Sequence, residues 1–388
     1  MVGGGAARAD RERDGLDARH SVSWSRTAAR TAVPHPSGAP TMTSTTLPGR
    51  ALDLRALNAH LAESAPEHPP VHAAVQLKGG QSNPTYRIET EAGPRVLRMR
   101  PVGIGPWAHA VDREFRVMGA LAGTPVPVPQ VFHYCADESV IGGSFYTMEF
   151  VEGRIIDSGR LPGLTPEERR AVYLDFVDVA AALHNVDWEP LGLEGFGKPH
   201  TYVQRQIALQ ARMYDAVSDG SFPDMGWLVE HLPALAPEQD STRVVHGDLR
   251  IGNLVLHPTE PRVVALLDWE MSTLGDPLAD AALLTISYHL TENPQGCFDA
   301  AEGARLGIPS EEELVARYLE ATGRTEFPDY TFMMAFNLFR YASAQYGIYH
   351  RGTRGLAVSD EHADYLQTPG PLSRRAREMA ESLGSGRA

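Results

Sequence analysis

Lysine is nearly missing from this chain of 388 residues. Of its 35 basic residues 33 are Arg, and Lys78 and Lys198 are the only lysines. Chemistry that needs a primary amine therefore has two candidates. Cysteine is as scarce, and Cys135 and Cys297 alone exclude a disulfide framework or a zinc site built on thiolates. No apolar run reaches the roughly 20 residues that a membrane helix needs. The nearest approach, Phe332 to Ile348, is interrupted by Asn337, Arg340 and Gln345. Positive charge is outnumbered, with 35 basic against 49 acidic residues and a net charge of −14. That balance argues against nucleic acid or an anionic membrane as partner, because such binding rests on Lys and Arg meeting phosphates. A cytoplasmic chain of unknown oligomeric state is the expectation.

The chain divides by composition. Residues 1–50 hold seven Arg and four acidic residues among Ala, Gly, Ser, Thr and Pro, with no periodic apolar face. They read as a disordered extension, with Met42 as an alternative start. The remainder carries −17, from 28 basic and 45 acidic residues. Residues 52–147 read as a strand-rich unit. Leu54 to Ala62 forms a short helix, Val75 to Ile88 and Arg95 to Arg100 alternate as antiparallel strands, and Val111, Phe115, Met118 and Leu121 recur at helical spacing. Residues 148–368 read as mainly helical. Thr165-Pro166-Glu167-Glu168 and Ser310-Glu311-Glu312-Glu313 are helix starts, and Phe332 to His350 is a long buried helix. Residues 369–388 have little to bury and read as a flexible tail.

The chemistry concentrates in one stretch. It runs His246-Gly247-Asp248-Leu249-Arg250-Ile251-Gly252-Asn253 and, after an apolar hairpin, Leu267-Asp268-Trp269-Glu270. An Asp and an Asn five apart at a strand end, with a second Asp from the next hairpin, bring oxygen ligands toward one point. Such a set suits Mg²⁺ together with nucleotide phosphates. It leaves Asp248 to orient an attacking hydroxyl or accept its proton. Each residue alone would be ordinary turn chemistry beside Gly, but the joint pattern is much rarer than its parts. Asp276-Pro277 reads as a helix cap followed by a first-turn proline. Gly79-Gly80-Gln81-Ser82-Asn83 is a turn whose backbone N–H groups could cover phosphates, with Gly80, Ser82 and Asn83 as contacts.

These motifs, with Gly275-Asp276-Pro277-Leu278-Ala279-Asp280, Val96-Leu97-Arg98, Asp112-Arg113-Glu114 and Phe145 to Gly153, resemble the aminoglycoside phosphotransferase and choline kinase family. Within it they resemble the kinase domains fused to acyl-CoA dehydrogenases and their free-standing bacterial relatives. The resemblance spans about residues 52–365. It implies an α+β, two-lobed, protein-kinase-like fold and transfer of a phosphoryl group from ATP to a hydroxyl. It implies Asp248 as the catalytic Asp, Asn253 and Asp268 as Mg²⁺ ligands with Glu270 assisting, and His246 and Asp280 as supports of the loop. Met148 to Val151, including Glu149, would meet the adenine edge. The family's phosphate-gripping Lys falls at Arg98, paired with Glu114; Arg keeps the charge, though not the geometry. Arg100 and Lys78 are the alternatives, while Lys198 reads as solvated surface. The acceptor side draws on Tyr288, Tyr346 and Arg351, within a wider set that includes Tyr341, Tyr349, His350 and Arg354. Aromatic residues at that spacing are more often core. A hydroxylated acyl-CoA is the implied acceptor and an aminoglycoside the runner-up. A nucleotide-binding pseudokinase scaffold is the non-enzymatic alternative, favoured by the Arg in place of Lys.

Overall fold

A computed structural model describes residues 22–23, 52–77, 83–100, 111–239, 241–290, 297–353 and 367–385. The expected extension at 1–50 lies outside them except for Val22–Ser23, which form a short strand, β1, paired with Arg154–Ile155. Helix α1 (Leu54–Ser64) is started by Asp53, whose Oδ1 accepts the amides of Arg55 and Ala56 at 3.0 Å each. It buries Leu54, Leu57 and Leu61.

A five-stranded antiparallel sheet follows, formed by β2 (Val71–Gln76), β3 (Thr85–Thr90), β4 (Gly93–Met99), β5 (Val131–Cys135) and β6 (Phe145–Glu149). Its spatial order is β2-β3-β4-β6-β5. The stretch 75–88 thus holds the end of one strand and the start of another. Register pairs Thr85 with Arg98 and Arg98 with Tyr146, which sets Arg98 in the middle of the sheet. Helix α2 (Val111–Leu121) packs on β5 and β6. Its buried face is Val111, Glu114, Val117, Met118 and Leu121, a helical stripe with one carboxylate set into it.

After β6 the chain turns helical, as expected for an α+β molecule. Strand β7 (Arg154–Ile155) leads to α3 (Pro166–Asn185), α4 (Tyr202–Asp215) and α5 (Pro223–Leu235). The Thr165–Glu168 capping box is reciprocal, and the Thr165 hydroxyl accepts the Glu168 amide at 3.3 Å. Then come β8 (Arg243–Val245), the hairpin β9 (Leu254–Leu256) and β10 (Val263–Leu266), and β11 (Thr273–Gly275), which pairs back onto β8. Gly153 lets β7 cross β9, since a Cβ there would lie 2.4 Å from the Leu256 carbonyl oxygen. The remaining helices are α6 (Pro277–Ala281), α7 (Ala300–Leu306), α8 (Glu311–Thr322), α9 (Tyr330–Thr353) and α10 (Pro369–Ser385).

One expectation is overturned. Residues 369–385 are not a flexible tail but a helix packed against α9 and α5, with Leu372, Ala376 and Ala380 almost fully buried. These three recur every fourth residue, so they share one face. Two of them are small, which left the stripe inconspicuous among its arginines.

Candidate active site

The hairpin β9–β10 explains how Asn253 and Asp268 meet. Asn253 immediately precedes β9 and Asp268 follows β10 by two residues, and the Leu267 amide donates to the Asn253 carbonyl at 2.8 Å. Asp248 sits on the loop that leaves β8. The Asn253 side-chain amide donates to the Asp248 carbonyl at 2.8 Å and to its Oδ2 at 2.9 Å. Arg250 Nε reaches the same Oδ2 at 3.1 Å, and the Tyr341 hydroxyl from α9 donates to Oδ1 at 3.1 Å. Both oxygens of Asp248 are therefore held, and the carboxylate has a fixed orientation.

The loop itself is tied from below. Asp280, buried in α6, accepts the His246 amide at 2.6 Å and the Gly247 amide at 2.8 Å, and is met by His184 at 3.2 Å. Burial pushes its carboxyl up, but His184 and the loop amides outweigh that and hold it below the usual range. His246 donates through Nε2 to the Leu267 carbonyl at 2.9 Å and accepts the Asp248 amide at Nδ1, so it bridges the two halves of the site. Gly247 has φ +81° and no room for a Cβ, which would lie 2.8 Å from the Met271 carbonyl. From α9, Arg340 donates to the Gly247 carbonyl at 2.9 Å and Asn337 to the Ala279 carbonyl at 2.7 Å.

Opposite this loop, Arg98 projects from β4. Its guanidinium lies 3.3 Å from Glu114, 2.6 Å from Asp268 and 3.4 Å from Glu270. Asn83 and Tyr146 donate to Glu114 at 2.9 and 3.0 Å. Burial lowers the pKa of Arg98, yet the three carboxylates more than reverse this and keep it charged. Burial pushes the Glu114 carboxyl up to about 7 against the pull of Arg98. Asp268 is pushed up by burial and pulled down further by Arg98, for a net lowering. Arg100, the alternative cation, is turned to Glu138.

Arg98, Glu114 and Asp268 form the polar end of a cleft of about 690 Å³, its open mouth included. Val96, Met118, Met148, Val255 and Leu267 make apolar walls, and Glu149, Phe150 and Val151 make its edge. A flat aromatic base fits such walls, and phosphates fit the end that carries the guanidinium. Asn253 commits its Nδ2 to Asp248, which leaves Oδ1 as the atom it can offer a cation. With the carboxylates of Asp268 and Glu270 this is a hard oxygen donor set of the kind Mg²⁺ takes alongside substrate phosphates. Among the described residues no three His, Cys, Asp or Glu side chains form a closed metal cage.

The acceptor-side expectations fare differently. Tyr346 is core, 1% exposed, packed on Tyr214 and Phe222, with its hydroxyl on Asp219 at 3.0 Å. Tyr288 packs edge-on to Phe298 and donates to the Pro309 carbonyl. Contrary to the acceptor-side expectation, the contacts of both rings are packing contacts, made to residues other than the Asp248 loop. Arg351 belongs to α9, with its side chain outside the described residues, as are Lys78, Gly80, Ser82 and Arg354. The sequence reading missed Arg340 and Asn337, and it kept Tyr341 only in the wider set. Their signal was visible: polar groups in an otherwise apolar helix.

Residues 73–336 match the phosphotransferase enzyme family. The chain is 41% identical over 313 residues to acyl-CoA dehydrogenase family member 10 of Mus musculus, covering 79% of this chain and 28% of that protein. It is 38% identical over 345 residues to acyl-CoA dehydrogenase family member 11 of Gallus gallus, covering 85% and 44%. It thus spans less than half the length of these curated relatives. A candidate aminoglycoside phosphotransferase structure from Ralstonia eutropha superposes with a TM-score of 0.75 at 40% identity, covering 85% of this chain and 99% of that one. A thermostable mutant of an aminoglycoside phosphotransferase, in a ternary complex with AMP-PNP and hygromycin B, shares the fold with a TM-score of 0.56 at 17% identity over 83% and 98%. The two-lobed, kinase-like fold expected from the motifs is the one these structures share, and the resemblance to kinase domains joined to acyl-CoA dehydrogenases holds.

Proposed function

This chain belongs to the phosphotransferase enzyme family and is a small-molecule kinase, and we propose that it transfers the γ-phosphoryl group of ATP, with Mg²⁺, to the hydroxyl of a hydroxylated acyl-CoA. The observation that carries this reading is the pinned Asp248 carboxylate, held by Asn253, Arg250 and Tyr341 beside a cleft whose polar end is Arg98, Glu114 and Asp268. Asp248 receives the acceptor hydroxyl, orients its oxygen toward the γ-phosphorus and takes its proton as the new P–O bond forms and the bond to the β–γ bridging oxygen breaks, releasing ADP. Arg98 grips the α- and β-phosphates while Glu114 keeps it aimed. Met148 to Val151 meet the adenine edge, and Asn253, Asp268 and Glu270 hold the cation. When bound, Mg²⁺ supplies charge neutralisation on the phosphate oxygens. Residues 52–147 and 148–368 act as the two lobes that close on the nucleotide.

The acyl-CoA acceptor is supported by the relatives named as acyl-CoA dehydrogenases, of which this chain resembles a part. The aminoglycoside reading is supported by the Ralstonia eutropha structure. The two are separated by incubating purified protein with radiolabelled ATP and Mg²⁺ against a panel of hydroxyacyl-CoA esters and a panel of aminoglycosides. Label is expected on an acyl-CoA; label only on an aminoglycoside would transfer the assignment. No transfer and no slow ATP hydrolysis would favour the pseudokinase scaffold. Asp248→Ala is expected to lower turnover by about 10³-fold with nucleotide affinity kept, whereas Asp268→Ala weakens Mg²⁺-ATP binding.

A further inference from the structure

Helix α2 brings more than Glu114 to the site. Arg113, the residue before it, donates through Nη2 to the Phe196 carbonyl at 2.6 Å and to the Ser272 carbonyl at 3.1 Å. Its guanidinium lies 4.3 Å from the centroid of the buried Phe196 ring. One turn on, Arg116 donates to the Gly192 and Glu194 carbonyls at 2.6 and 2.8 Å. All four acceptors are backbone oxygens of the chain that follows β6, so α2 is strapped across to it by two cations that do not titrate. Ser272 closes the turn that begins at Asp268. Its amide and its hydroxyl both donate to the Trp269 carbonyl, at 3.0 and 2.6 Å. The indole of the wholly buried Trp269 in turn donates to the Leu266 carbonyl at 2.9 Å. Asp268 itself stands at φ +67°, a left-handed conformation that a non-glycine residue keeps only when its surroundings impose it.

We propose that Arg113 is a positioning residue of the nucleotide site: by tying α2 to the turn of Asp268 it fixes the gap that Arg98 bridges, and with it the place of the guanidinium that grips the phosphates. The inference rests on the reading of Arg98 as that grip. Residues 113 and 114 stand about 100° apart around the helix, so one helix turns Arg113 to the Ser272 carbonyl and Glu114 to the cleft. Arg98 spans the same two elements from the cleft side, 3.3 Å from Glu114 and 2.6 Å from Asp268. A drift of α2 away from the turn draws Glu114 from Arg98. The guanidinium then follows Asp268 and Glu270, the carboxylates assigned to the cation, and leaves the phosphates. The cost falls on phosphate binding more than on the base, because Val96, Met148, Val255 and Leu267 line the cleft from outside α2.

The test is calorimetric titration of the full chain with ADP and with adenosine, both in EDTA so that no cation contributes. Arg113→Gln is expected to weaken ADP by about 3- to 10-fold and to leave adenosine within about twofold. Arg113→Lys, which keeps a charged donor on a shorter stem, is expected to fall between Arg113→Gln and wild type. Equal weakening of ADP and adenosine overturns the assignment, since a purely structural tie treats them alike; so does no weakening of either. A double-mutant cycle with Arg98→Ala asks whether Arg113 acts through Arg98. Arg98→Ala weakens ADP, and adding Arg113→Gln to it should cost nothing further. Costs that add overturn the positioning role alone and leave Arg98 as the grip. Wild-type ADP affinity in Arg98→Ala refutes the grip itself, and the positioning role with it. Should Arg113→Gln fail to fold, Arg113→Lys takes its place in the cycle, and wild-type ADP affinity in that variant overturns the assignment.

Discussion

Arg98 faces Glu114, Asp268 and Glu270 at once, so one cation serves three acids in a nearly closed space. The arrangement is short of positive charge, and Glu114 registers this as a carboxyl pushed up by burial to about 7 from an ordinary 4.5. The folded protein then holds a proton that the unfolded chain has already released. The stabilisation from this group is complete below about pH 4.5 and fades as pH rises through 7. Urea melts should show wild type losing about 1–3 kcal/mol relative to Glu114→Gln between pH 5 and 8. Parallel stability curves would refute the shift. Tyr341 offers a second test at this scale. It donates to Asp248 without touching the cleft residues described above, so it acts as a positioning residue. Tyr341→Phe should lower kcat by about 3- to 10-fold, with the KM for ATP and the Tm nearly unchanged. An unchanged kcat would mean that Arg250 and Asn253 suffice to hold the carboxylate.

At the scale of elements, the legible parts were those whose chemistry is local. The pattern from His246 to Glu270 could be read because β9 and β10 are adjacent in sequence, so the hairpin that joins Asn253 to Asp268 is short. The Thr165 cap was readable for the same reason. Contacts from α9 were not, since Arg340 and Tyr341 each reach their loop partners across 93 residues. Tyr346 was misread for a geometric reason. Five residues rotate a helix by about 140° beyond a full turn, so Tyr341 and Tyr346 occupy different faces, one toward Asp248 and the other into the core. Helices α4 and α5 carried no start signal as plain as Thr165-Pro166, and neither has a side-chain cap bond. For α10, Leu372 makes the correction measurable. Leu372→Ala should cost about 2–5 kcal/mol of unfolding free energy, as expected of a leucine 3% exposed against α9 and α5. A loss below about 0.5 kcal/mol would instead mark the segment as loosely attached.

For the whole molecule, net charge says little about the acceptor, because a sum of −14 does not locate itself. The informative whole-molecule property is the way the sheet and the helical part share the cleft: β4, β6 and α2 supply one wall, β9 and the turn after β10 the other. A nucleotide bound there cross-links the two. AMP-PNP with Mg²⁺ at a hundredfold excess over its Kd should therefore add about 2.7 kcal/mol of apparent stability, read as a saturable rise in Tm. Arg98→Ala should remove most of that gain, and an undiminished gain would relocate the phosphate grip. The guanidinium on β4 has one more consequence, for detection. Nucleotide probes that label kinases by acylating an amine beside the phosphates find no amine at position 98. A proteome surveyed by that labelling would find no amine to mark on β4 of this protein, so any lysine it marks in this chain would have to be Lys78 or Lys198.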